Sequence, residues 1–148
     1  MRLRLRTLCL LFFLCAAGVA LGEKKGCSEE QSRQAELATD NLKTWESLYD
    51  FYQKFARCDD GGVAEGISEG VAKLLANHWD AIAEFVTIAE HDKGFERFVL
   101  HHVDATIDQA HDAPKIRENA QSHCPENIRW LCKDLINRTA APRETGLR

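Results

Sequence analysis

Apolar residues recur at three- to four-residue spacing along most of the chain, without sustained two-residue alternation and without an Asn-Gly hairpin turn. Ser28, with Gln31 three positions on, matches a capping box and predicts that a helix opens there. Thr39-Asp40-Asn41 interrupts it, because all three residues prefer caps and turns. Trp45, Leu48, Tyr49, Tyr52, Phe55 and Ala56 share one face of a second helix, which Cys58 ends. After an Asp59-Asp60-Gly61-Gly62 turn, a third helix is expected to run to about Asn77, with Val63, Ile67, Val71, Leu74 and Leu75 as its buried stripe.

The remaining helices read in the same way. His78-Trp79-Asp80 is a junction, with Asp80 expected to cap a helix from Ala81 to Glu90 that buries Ile82, Phe85, Val86 and Ala89. Asp92 is the expected cap of the next, which aligns Phe95, Phe98, Val99, His102 and Val103. Asp112-Ala113-Pro114 starts a short helix, since proline is tolerated in a first turn. Cys124-Pro125 opens the last, whose apolar side is Ile128, Leu131, Cys132, Leu135 and Ile136. The pattern predicts an all-α, compact bundle of five to seven helices with no internal repeat.

The third helix also carries Gly62, Gly66 and Gly70 at every fourth position. Each internal glycine costs about 1 kcal/mol relative to alanine, so the stripe requires a compensating close approach of another segment. Packing inside the bundle is the expectation; a partner or ligand seated on the stripe is the alternative.

The N-terminus changes the picture of the ends. Arg2, Arg4 and Arg6 precede an apolar run from Leu8 to Leu21, and Ala20-Leu21-Gly22 offers small residues for signal peptidase. Residues 1–22 are therefore expected to be a signal peptide, 23–139 a single helical domain and 140–148 a flexible C-terminal tail. The expected location is exported, in a bacterial periplasm or outside the cell. Cleavage would remove three arginines and move the formal charge from −4 to −7. An acidic surface argues against nucleic acid and anionic membrane as partners and permits basic proteins, cations or a cationic polymer without selecting among them; another protein is the expected partner. No cofactor is expected.

Cleavage would also leave Cys27, Cys58, Cys124 and Cys132, an even set that reads as two disulfides in an oxidising compartment. If helix fills the gap between Cys124 and Cys132, they lie about 12 Å apart, beyond the roughly 7 Å reach of a bridge. Cys58–Cys124 with Cys27–Cys132 is therefore the expected pairing. No CxxC pair supports a zinc site.

Three constellations carry candidate chemistry. Asp59, Asp60, Glu65 and Glu69 cluster at the start of the third helix and, with Gly66 and Gly70, form the candidate binding segment. The clustering can raise a carboxylate pKa and create an acid, or simply complement the helix macrodipole. His101, Asp104, Asp108 and His111 would lie on one side if helix continued through Ile107, and are the candidate metal ligands. Asp108 to Ala113 reads as a loop, which would scatter them, so the expectation is that they hold no tight site. His102, on the apolar side, reads as a core histidine. Ser68 lacks a GxSxG context, HExxH and P-loop motifs are absent, and Gly70 stands where a calcium loop starting at Asp59 would need glutamate.

Over CDDGGVAEGISEGVAKLL (Cys58 to Leu75) and the later His123-Cys124-Pro125 and Leu131-Cys132, the chain resembles small exported bacterial proteins of no assigned activity. It is also similar to the helical periplasmic immunity proteins that block type VI secretion amidases. Those carry a signal peptide, disulfides and a helix ending in cysteine before a small-residue helix. The resemblance implies a non-catalytic binding protein, an inhibitor of a secreted toxin, without assigning inhibitory residues. The alternative reading is a small periplasmic hydrolase or metal-binding protein that uses the Asp59–Glu69 segment or the His101/Asp104/Asp108/His111 face.

Overall fold

Capping side chains set where several of the helices begin. In the computed structural model, which describes residues 26–104 and 106–140, α1 (Glu29–Thr39) starts at Ser28, whose hydroxyl accepts from the Gln31 N–H. The Gln31 side chain accepts from the Ser28 N–H in return. Thr44 and Ser47 repeat this arrangement for α2 (Trp45–Phe55). Asp60 opens α3 (Gly61–Asn77), and Gly61 takes the left-handed conformation, φ +52°, that side chains with a Cβ rarely adopt. Helix α4 (Ile82–His91) is followed by α5 (Lys93–His101), where Asp92 accepts from the N–H groups of Gly94 and Phe95. Helices α6 (Asp112–Ser122), with Pro114 in its first turn, and α7 (Arg129–Arg138) complete the bundle. The expected signal peptide, and the tail beyond 140, lie outside the described residues.

The fold is all-α: seven helices and no strand among the described residues, around one continuous apolar core. Helix α3 is central, packed against α1 along one side and α6 along another, while α2 rests on α4 and α5. Trp45 and Phe85 meet at 4.9 Å between ring centroids, and rings continue through Phe95, Tyr52 and Phe98. Polar side chains close the helix ends: Asn119 donates to the carbonyls of Leu75 and Ala76, and Arg138 to that of Leu100 at 2.7 Å. Among the described residues no helix is long and apolar enough to cross a membrane.

One expected cap is absent. Asp80 does not cap α4; a 3-10 turn, Trp79–Ala81, runs directly into the helix and leaves Ala81 at the cap position. The glycine stripe is filled from within the molecule. A Cβ at Gly66 would fall 2.6–2.8 Å from the Oγ1, Cβ and Cγ2 of Thr39, and one at Gly70 would fall 2.8 Å from the Cβ of Leu42. The end of α1 and the turn after it thus sit against the bare side of α3.

The cysteines pair differently from expectation. The bridges are Cys27–Cys58 and Cys124–Cys132, not Cys58–Cys124 and Cys27–Cys132. The 12 Å separation assumed continuous helix, but Pro125 is extended (ψ 145°) and a 3-10 turn, Glu126–Ile128, precedes α7. That path folds Cys124 back to 6.1 Å from Cys132, Cα to Cα. The first bridge ties the start of α1 to the turn that carries Asp59 and Asp60.

Candidate functional site: an acidic groove over a buried Asp–His–Ser chain

Helix α3 presents Glu65, Ser68 and Glu69 on the side turned toward α6 and the loop after α5. A groove of about 560 Å³ runs there, lined by Glu65, Ser68, Glu69, Lys73, Asp108 and Asp112 among others. Lys73 is already paired with Glu69 one turn earlier. That hydrogen bond to Glu69, with the charges of Glu69, Asp112 and Asp40, holds the Lys73 ammonium above its usual range despite some desolvation. Negative charge therefore dominates the groove walls.

Beside it lies a smaller cleft of about 270 Å³, which shares Glu65, Ser68 and Thr106 with the groove and adds Asp59, Asp60, His101, His102 and Asp104. Of the candidate binding residues, the fold brings Asp59, Asp60 and Glu65 to this cleft and places Glu69 in the groove. Gly66 and Gly70 lie instead beneath Thr39 and Leu42. Asp60 is committed to the α3 cap through the Gly61 N–H at 2.8 Å.

Under the cleft sits the one titratable side chain that is buried among the described residues. His102 is 3 % exposed. Its Nε2 lies 3.2 Å from Asp59 Oδ2 and its Nδ1 3.0 Å from Ser68 Oγ, itself 7 % exposed. Phe98 meets the imidazole edge-on at 4.9 Å. An ionised carboxylate only accepts, so pairing with Asp59 assigns the ring proton to Nε2, and Ser68 then donates to Nδ1. Burial pushes the His102 pKa down; Asp59 opposes this without overcoming it.

The chain joins a hydroxyl, an imidazole and a carboxylate in the order of a nucleophile, a base and its orienting group. Among the described residues the other half of such a site, a set of free donors at the serine, is not assembled. Ser68 lies in the interior of α3, where helical bonding occupies the N–H groups around it, and the nearby Thr106 N–H and hydroxyl both donate to Asp104 Oδ1. The Thr106 donors are therefore not free to stabilise an oxyanion at Ser68. The arrangement can move or hold a proton, and it locks the Asp59 turn, α3 and the end of α5 together.

The candidate metal ligands are not gathered. Helix α5 ends at His101, and the chain then turns. Asp104 binds Thr106, whereas Asp108 binds the N–H groups of Ala110 and His111 and, at 2.8 Å, the His111 ring. Burial alone would raise the Asp104 pKa, but the Thr106 donors hold it below the usual carboxylate range. The His111 ring does the same for Asp108. No group of three or more metal-binding side chains forms among the described residues.

Sequence reasoning recognised His102 as buried but not its partners. Asp59 and Ser68 stand 43 and 34 positions away. The available signal was Ser68, a polar residue between Ile67 and Val71 on a helix side that the fold buries. The chain matches no protein-family model, and no similar curated protein or solved structure was found.

Proposed function

We propose that the protein is an exported, non-catalytic binding protein whose acidic groove receives a basic segment of another protein. The groove carries this reading: four carboxylates, Glu65, Glu69, Asp108 and Asp112, line a concavity whose one cation, Lys73, is tied to Glu69. Two disulfides support export to an oxidising compartment. On the resemblance to immunity proteins read from the sequence alone, a secreted toxin is the candidate partner. Calorimetric titration with octalysine at low ionic strength tests the groove. Binding should weaken with added salt and in Glu65→Lys and Asp112→Lys. Absence of binding by the folded wild-type protein would overturn the reading.

A hydrolase is the second reading, favoured by the Asp59–His102–Ser68 chain alone. A fluorophosphonate probe separates the two. Labelling that disappears in Ser68→Ala would establish a reactive serine, whereas an unlabelled wild-type protein supports the non-catalytic reading.

A further inference from the structure

His102 lies beneath the smaller cleft with both ring nitrogens engaged. Neutral His102 completes a chain running from the Ser68 hydroxyl through the ring to Asp59. Adding a proton to Nδ1 turns Ser68 from donor to acceptor and sends its own hydrogen elsewhere, the carbonyl one turn back in α3 being the local option. It also places a full positive charge beneath the smaller cleft.

Charged and polar groups approach His102 from each element packed on it. Asp59 comes from the turn, Ser68 from α3, the His101 ring (5.4 Å between centroids) from α5, and Asp104 from the segment after it, while Glu65 of α3 lines the cleft above. Arg138 of α7 reaches the Leu100 carbonyl, two residues before His102. The carboxylates favour the protonated ring; His101, when charged, and the burial of the site oppose it.

A cation bound among Asp59, Asp60, Glu65 and Asp104 would take the same carboxylate field that an imidazolium needs. We propose that protonation of His102 and occupation of the cleft by a cationic side chain are mutually antagonistic, so that the protein releases a basic ligand on acidification. This rests on the groove reading above, with the basic segment continuing past Glu65, which groove and cleft share, and adds its regulation. Linkage requires the antagonism to be reciprocal: the factor by which the proton weakens cation binding equals the factor by which the cation lowers proton affinity.

The test uses protein labelled with nitrogen-15 in histidine, titrated from about pH 7.5 to about pH 5 with and without octalysine, conditions in which ordinary carboxylates remain largely ionised. The His102 ring nitrogens should report the neutral Nε2–H tautomer at the upper pH. Saturating octalysine should move their titration midpoint downward, and peptide affinity should fall by at least about fivefold across the range. His102→Gln, which can still donate to Asp59 and accept from Ser68, should retain binding and lose most of that fall. Peptide binding with an unmoved His102 midpoint would overturn the antagonism while leaving the groove reading intact. No peptide binding at either pH would remove both. The labelled wild-type titration decides even if His102→Gln does not fold.

Discussion

The two sides of α3 solve opposite problems. Along one, Gly66 and Gly70 remove side chains so that Thr39 and Leu42 can press against the helix. Along the other, Glu65, Ser68 and Glu69 supply polar groups, and only Ser68 is drawn inward, by His102. The first side gains from the absence of atoms and the second from their placement. A substitution that is mild on one side should therefore be damaging on the other.

The largest effect is expected where the two sides are tied together. Cys27–Cys58 fastens α1, which covers the glycines, to the turn that carries Asp59. From its separation of 31 residues, loop-closure entropy gives a loss of about 3–4 kcal/mol on removal of both cysteines. The Cys124–Cys132 bridge, spanning 8, should cost about 2.5 kcal/mol. Denaturant melts of the two double-alanine variants check the order.

On the glycine side, Gly66→Ala and Gly70→Ala should each destabilise by about 1–3 kcal/mol, because the new methyl meets Thr39 or the Leu42 Cβ rather than the end of a flexible chain. Gly62→Ala meets only the Glu36 carboxyl, at 3.4 Å, and should be neutral or gain up to about 1 kcal/mol. Stabilisation of Gly66→Ala would show that the close fit is not what the glycine is for.

On the polar side, acid should act through His102. Its folded pKa is lowered, so the unfolded chain binds the proton first. Stability should be insensitive to this group above about pH 6.5 and decline as pH falls below that value toward the folded pKa. Melts at several pH values should show a shallower decline in His102→Gln than in wild type. The smallest effect belongs to the exposed Lys73–Glu69 pair, where Lys73→Ala should change stability by no more than about 0.5 kcal/mol while making the groove more negative. A charge-neutral variant that melts far lower would place Lys73 in the packing instead.

Local chemistry was readable from the chain wherever it acts over three or four residues. The Ser28 capping box, the Asp92 cap, the break at Thr39 and the extent of α3 to Asn77 all depend on near neighbours. Asp80 misled because a 3-10 turn can feed a helix without a capping side chain. The disulfide pairing failed for a similar reason, since one extended residue at Pro125 changes a through-helix distance into a short turn. The partners of His102 were not legible because only the packing of α3 against the end of α5 brings residues 59, 68 and 102 together.

The order of the bridges has a consequence for biogenesis. Each joins cysteines that are consecutive in the segment from residue 27 onward, and neither loop encloses a cysteine of the other. A chain threaded into an oxidising compartment from its N-terminus presents Cys27 and Cys58 well before Cys124 and Cys132. Oxidation in the order of emergence therefore yields the native connectivity directly, without thiol–disulfide reshuffling of a wrong pair. On that route a dithiol oxidase would suffice, and a disulfide isomerase would have nothing to correct.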